Sequence, residues 1–126
     1  MKELKEAEAW LYGAKALSES NLPEEKYTVV VAMCVHSIIK ANDALTSRFL
    51  FRTAIRHEKA SELFLKLVEQ GKIDKKYDSL RREILIPAIR LKSFVDYRGA
   101  TTTRDSAQTW LDNAKKFIDV VKECLR

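Results

Sequence analysis

Apolar residues recur every three to four positions along nearly the whole chain, and that period selects helices over strands. In residues 3–19, Leu4, Ala7, Leu11 and Ala14 fall at heptad-like spacing, with Trp10 and Leu17 on a neighbouring line. Glu and Lys fill the gaps, as an amphipathic first helix requires. Ser20-Asn21-Leu22-Pro23 ends it, and Pro23 with Glu24 and Glu25 opens the second helix. Proline suits a first turn because its missing N–H has no helical partner there, and the acids complement the helix dipole.

The second helix is predicted to run to about Arg48. Its first half, Tyr27 to Val35, is apolar almost all round, so it is expected at the centre of the fold with neighbours on several sides. Val29-Val30-Val31 on its own suits a strand. Continuation through Met33, Val35, Ile38, Ile39, Ala41 and Leu45 restores the helical period. Ser47 to Arg52 reads as a connection with exposed aromatics. A third helix carries Ala60, Leu63, Phe64, Leu67 and Val68 on one stripe and stops at Gly71.

A fourth helix is predicted over Lys75–Arg98, with Tyr77, Leu80, Ile84, Ala88, Leu91 and Val95 on its apolar face. Pro87 lies inside that pattern, which predicts a kink or break near Glu83–Ile86. Gly99 ends the helix, and Thr102 or Thr103 caps a fifth whose stripe runs from Ala107 to Leu125. There is no internal repeat and no linker. The reading is one all-α domain over residues 1–126, an up-and-down helical bundle of four to five helices.

Composition narrows the function classes. Only three Gly and two Pro occur, too few for a turn-rich β fold. The longest continuous apolar run, Val29 to Val35, is far short of the roughly 18–20 residues of a membrane span. The first residues, with Lys2, Glu3, Lys5, Glu6 and Glu8, do not read as a signal peptide, so a cytoplasmic protein without a membrane partner is expected. Cys34 and Cys124 stand far apart inside helical patterns and read as small buried residues. With no Gly-rich phosphate loop, no HExxH and no Cys/His cluster, no cofactor and no metal is expected.

Charge is uneven within the net +5. Lys40 to Ala60 holds five basic and two acidic residues, and Gly71 to Arg104 holds nine and four. A basic middle between neutral or acidic ends is expected to present a positive face to nucleic acid or another polyanion. A solvated lysine-rich surface is the plainer alternative.

Two polar stretches carry candidate chemistry. Arg52-Thr53-Ala54-Ile55-Arg56-His57 sets an arginine and a histidine at the mouth of the third helix. That pair suits metal-independent RNA cleavage: the arginine holds the scissile phosphate, and the histidine moves the proton of the 2′-hydroxyl or the leaving oxygen. The alternative is a solvated loop and helix cap. The second stretch, Arg90 to Gly99, contains Lys92 and Asp96 at i, i+4 and ends in Tyr97 and Arg98. It reads either as a binding surface or as a helix end held by that pair. His36 reads as a core or semi-buried histidine with a hydrogen-bond partner.

These pieces together are similar to HEPN domains. The resemblance rests on the apolar helix Val29–Leu45, the Arg/His/Glu start of the third helix at Arg56–Leu67, the segment Lys92-Ser-Phe-Val-Asp-Tyr97, and Thr103 to Leu125. It spans roughly residues 5–125, and the nearest branch is small prokaryotic proteins with an Arg-x-x-Ala-Asp-Tyr-like segment before the last helix. The resemblance implies a homodimer and a small nucleotidyltransferase partner in a toxin–antitoxin-like system. Active members are metal-independent endoribonucleases with an Arg-x4–6-His motif before the last long helix. Here Lys92 stands at the expected arginine and Tyr97 at the expected histidine. A phenol with an ordinary pKa of about 10 is a poor general base at neutral pH. The expectation is a non-catalytic or weakly catalytic protein that uses Arg90, Lys92, Asp96, Tyr97, Arg98 and Arg104 to bind nucleotide, RNA or the partner. The alternatives are an endoribonuclease using Arg52 and His57, and a protein-interaction module docking through Phe49, Leu50 and Phe51.

Overall fold

The computed structural model describes residues 1–97 and 102–126, with residues 93–97 described by their backbone alone. Five main helices form, and no strand occurs among the described residues. They are α1 (Lys2–Ser18), α2 (Lys26–Leu50), α3 (Ala60–Glu69), α4 (Ile86–Tyr97) and α5 (Arg104–Leu125). A 3-10 turn, His57–Lys59, leads into α3.

α2 is the axis of the bundle, packed by α1, α3, α4 and α5. Val30, Val31, Cys34, Val35, Ile38, Ala41, Ala44 and Leu45 are buried along it, which is why its first half is apolar nearly all round. Val29 is the exception and faces out. Length and composition alone would let α2 cross a membrane, which the count of consecutive apolar residues missed. Its apolar window is mostly buried within the bundle. α1 lies antiparallel to α2: Ser37 Oγ donates to the Ala7 carbonyl at 2.7 Å, and Lys40 pairs with Glu6 at 3.2 Å. α5 closes the other side, with Lys122 against Glu8 of α1 at 3.0 Å. Phe64 of α3 and Phe117 of α5 meet in the core, ring centroids 6.2 Å apart.

Three expectations need correction. α2 runs two residues past Arg48, so Phe49 and Leu50 belong to the helix and pack half-buried against the core. The acids Glu24 and Glu25 precede α2 in a turn instead of forming its first turn, since helical winding starts at Lys26. The fourth helix is also not one α-helix. It begins as a 3-10 turn at Lys75–Tyr77, passes one α turn at Asp78–Leu80, and winds as a π-helix over Arg81–Leu85 before α4. The wider π turn relieves the crowding that the Pro87 ring imposes on the carbonyl four residues back. The expected break is thus present, as a change of pitch. Thr103 caps α5, its Oγ1 accepting from the Ser106 N–H at 3.1 Å.

Cys34 is buried, and burial pushes its thiol up to about 12; Cys124 is half-buried and also raised. Both therefore stay protonated and inert at neutral pH.

Candidate functional site

α2 ends on a residue that resists its own backbone. Phe51 adopts φ 60° and ψ 28°, the left-handed region, and is the one non-glycine residue with positive φ among those described. A bulky side chain there costs about 1–2 kcal/mol. The conformation is held because the Phe51 and Arg52 N–H groups both return to the Thr46 carbonyl, closing the helix in a Schellman-like ending. The chain then leaves as an extended loop.

Two buried polar side chains of α2 tie that loop down. Asn42 Nδ2 donates to the Ala60 carbonyl at 3.1 Å, and Asp43 sits beside it with its carboxyl near the Ala54 N–H. Asn42 is fully buried and Asp43 is 9% exposed. Burial pushes the Asp43 carboxyl up to about 6; Glu3 and Glu6 add to the rise, while Lys40 and the Ala54 N–H oppose it. A helix-period pattern marks such positions as breaks in an apolar stripe. It does not show that they hold the next segment.

The result is a surface cleft of about 470 Å³ between the loop and α3. Its walls carry Arg52, Arg56, Lys59 and Lys66, with Glu62 the one carboxylate, over an apolar floor of Ala54 and Leu63. Lys59, Leu63 and Lys66 fall at helical spacing, so one side of the α3 segment meets the loop. Glu62 pairs with Lys59 at 3.4 Å on an exposed surface, where such a pair contributes little. Four cations against one anion make the cleft a site for negative charge. Among the described residues, no group of His, Cys, Asp and Glu could hold a metal ion.

The residues singled out from the sequence divide between places. Arg52 is in the cleft wall. His57 is exposed at the first position of the 3-10 turn and is not among the lining residues. Arg90 is exposed on α4, while Lys92 is half-buried with its Nζ 3.3 Å from His36 Nε2. Arg104 opens α5 and shares a different concavity with Glu24, Tyr27, Thr102 and Thr103. Tyr27 and Leu50 are separated by the length of α2, about 35 Å at the α-helical rise. Arg104 and Arg52 therefore sit at opposite ends of the bundle. The side chains of Asp96 and Tyr97, and all of Arg98, lie outside the described residues.

Part of the basic middle of the sequence is paired locally. Arg81 and Arg82 both turn onto Asp78, at 2.7 and 3.4 Å, and the hydrogen bond from Arg81, with the charge of both arginines behind it, holds that carboxyl below the usual range. Lys59 and Lys66 were missed in the sequence, although their spacing across Leu63 was visible there. Only the loop folding back over α3 gives that spacing meaning.

Compared with protein-family models, curated proteins and solved structures, the chain matches none.

Proposed function

We propose that this is a HEPN-like helical protein, non-catalytic or weakly catalytic, that binds RNA through the cleft between residues 52–56 and α3. The observation that carries this reading is the convergence of Arg52, Arg56, Lys59 and Lys66 on one concave surface. Arginine forks hold phosphate oxygens bidentately, and lysines add mobile point charges, which together suit a phosphodiester backbone. A positive cleft steers a polyanion from a distance and is screened by salt. The homodimer and the small nucleotidyltransferase partner belong to the same proposal and rest on the sequence resemblance.

The test is titration of labelled RNA into the protein by fluorescence anisotropy at low and high salt. Binding that weakens with salt and is lost in Arg52→Ala/Arg56→Ala supports the reading. Wild-type affinity in that double variant removes it.

Endonucleolytic cleavage by Arg52 and His57 is the second reading. It draws on Arg52 in the wall and on His57 heading the turn that delivers Lys59. RNA incubated in EDTA decides between the two: cleavage that disappears in His57→Ala makes the protein a nuclease, and intact RNA leaves it a binder.

A further inference from the structure

The loop that builds the basic cleft also pushes two large apolar side chains into water. Phe51 is 90% exposed and Ile55 is 100% exposed, on either side of Arg52 to Ala54. Most exposed apolar residues on a protein surface need no explanation. Phe51 differs because it occupies a backbone conformation that glycine would take without strain and without exposing apolar area. Its backbone is also held in place. The Schellman-like return to Thr46 fixes it on one side, and the Asn42 hydrogen bond to the Ala60 carbonyl anchors the loop beyond it. A projecting phenyl group on a fixed backbone therefore stands next in sequence to Arg52, which lines a cleft suited to phosphate.

We infer that the cleft takes single-stranded RNA, with an unpaired base stacked on Phe51 while Arg52 and its neighbours hold the adjoining phosphates. This rests on the RNA-binding reading above and narrows it to one class of ligand. A duplex keeps its bases stacked on each other and offers an exposed phenyl group no free face. An unpaired strand offers one at every nucleotide, and stacking on an aromatic tolerates any base. Ile55 adds apolar contact at the far end of the same loop. The charges supply salt-dependent attraction to the backbone, and Phe51 supplies the preference for single strands.

The experiment compares a short labelled oligouridylate, an oligoadenylate of the same length and a blunt RNA duplex, bound to wild type, Phe51→Ala and Phe51→Trp. Wild type is expected to bind both single strands at least tenfold more tightly than the duplex. Phe51→Ala should lose about tenfold on the single strands, within the range set by one stacked base, with its salt slope unchanged because the cations remain. Phe51→Trp should bind like wild type, and its added indole emission should be quenched by the oligonucleotides. Phe51 is exposed, so unchanged circular dichroism melts serve as the folding control. Equal single-strand affinity of Phe51→Ala and wild type overturns the inference, as does wild type binding duplex as tightly as single strand. In either case salt-sensitive binding by wild type leaves the RNA reading standing. A wild-type protein that binds none of the three probes removes both.

Discussion

The imidazole of His36 lies against the indole of Trp10, with ring centroids 4.9 Å apart and planes 24° from parallel. The contact joins α1 to the outward side of α2. His36 Nε2 also meets Lys92 Nζ of α4 at 3.3 Å, so one side chain touches two neighbouring helices. An ammonium group only donates, so in this contact Nε2 is the acceptor.

A double-mutant cycle measures the stack. Trp10 is 38% exposed, so the pair is partly wet, and its coupling should fall within the roughly 0.5–1.5 kcal/mol found for ring pairs. Urea unfolding of Trp10→Ala, His36→Ala and the double variant gives the value. Additivity of the two single changes would show that the rings lie together without stabilising one another.

Asp43 should make stability depend on pH in an unusual direction. Its carboxyl titrates near 6 in the folded chain, above the usual range near 3.9, so between those values the folded state holds more proton than the unfolded. Stability from this group is therefore gained as pH falls from above 6 towards 4. Asp43→Asn removes the buried charge and keeps an oxygen for the Ala54 N–H. The relief of about 2–3 kcal/mol is offset by about 1 kcal/mol for a buried amide N–H without a partner. The variant should be more stable than wild type by about 1–2 kcal/mol at pH 8, with the gain shrinking or reversing near pH 4.5. Chemical denaturation at the two pH values checks it, and a constant difference would mean that Asp43 does not titrate in this window.

Two glycines should respond differently to alanine. Gly71 follows α3 at φ 68° with open space around it, so Gly71→Ala suffers only the strained backbone, about 1 kcal/mol. Gly13 lies inside α1, where an added Cβ would come within 2.7 Å of Met33 Cε, the flexible end of a long side chain. The methionine can swing aside, and alanine gains roughly 1 kcal/mol of helix propensity. Thermal melts should show Gly71→Ala lowered and Gly13→Ala unchanged or raised. A large loss in Gly13→Ala would reveal that Met33 is locked.

The helices were legible because burial follows their period: Ala7, Ala14, Leu63, Phe64, Leu67 and Phe117 are all buried where the pattern puts them. Thr103 and Gly71 were legible as punctuation because capping chemistry is local. The cleft was not, for a physical reason. Arg52 and Lys66 are fourteen positions apart in the sequence, and their proximity depends on how far the loop folds back. That is decided by Asn42 and Asp43, whose partners lie eleven to eighteen residues away. Patterning sees such long-range polar contacts only as interruptions. The resemblance drew attention to Arg90 and Lys92. The structure sets Lys92 against His36 and gathers Arg52, Arg56, Lys59 and Lys66 around a cleft elsewhere.

That difference can be read from salt dependence. Each lysine or arginine that neutralises a phosphate on a single strand contributes about 0.7 to the slope of log affinity against log salt. Arg52 and Arg56 line the cleft, whereas Arg81 and Arg82 are committed to Asp78 and Arg104 stands at the other end of α2. Removing Arg52 and Arg56 together should therefore reduce the slope for a short oligonucleotide by about 1.4. Arg81→Ala/Arg82→Ala lowers the overall positive charge equally. It should weaken binding slightly through the long-range field while leaving the slope nearly unchanged. Anisotropy titrations over a series of salt concentrations separate local neutralisation from general attraction. Equal losses of slope in the two double variants would mean that RNA responds to net charge alone and that the cleft has no special claim on it.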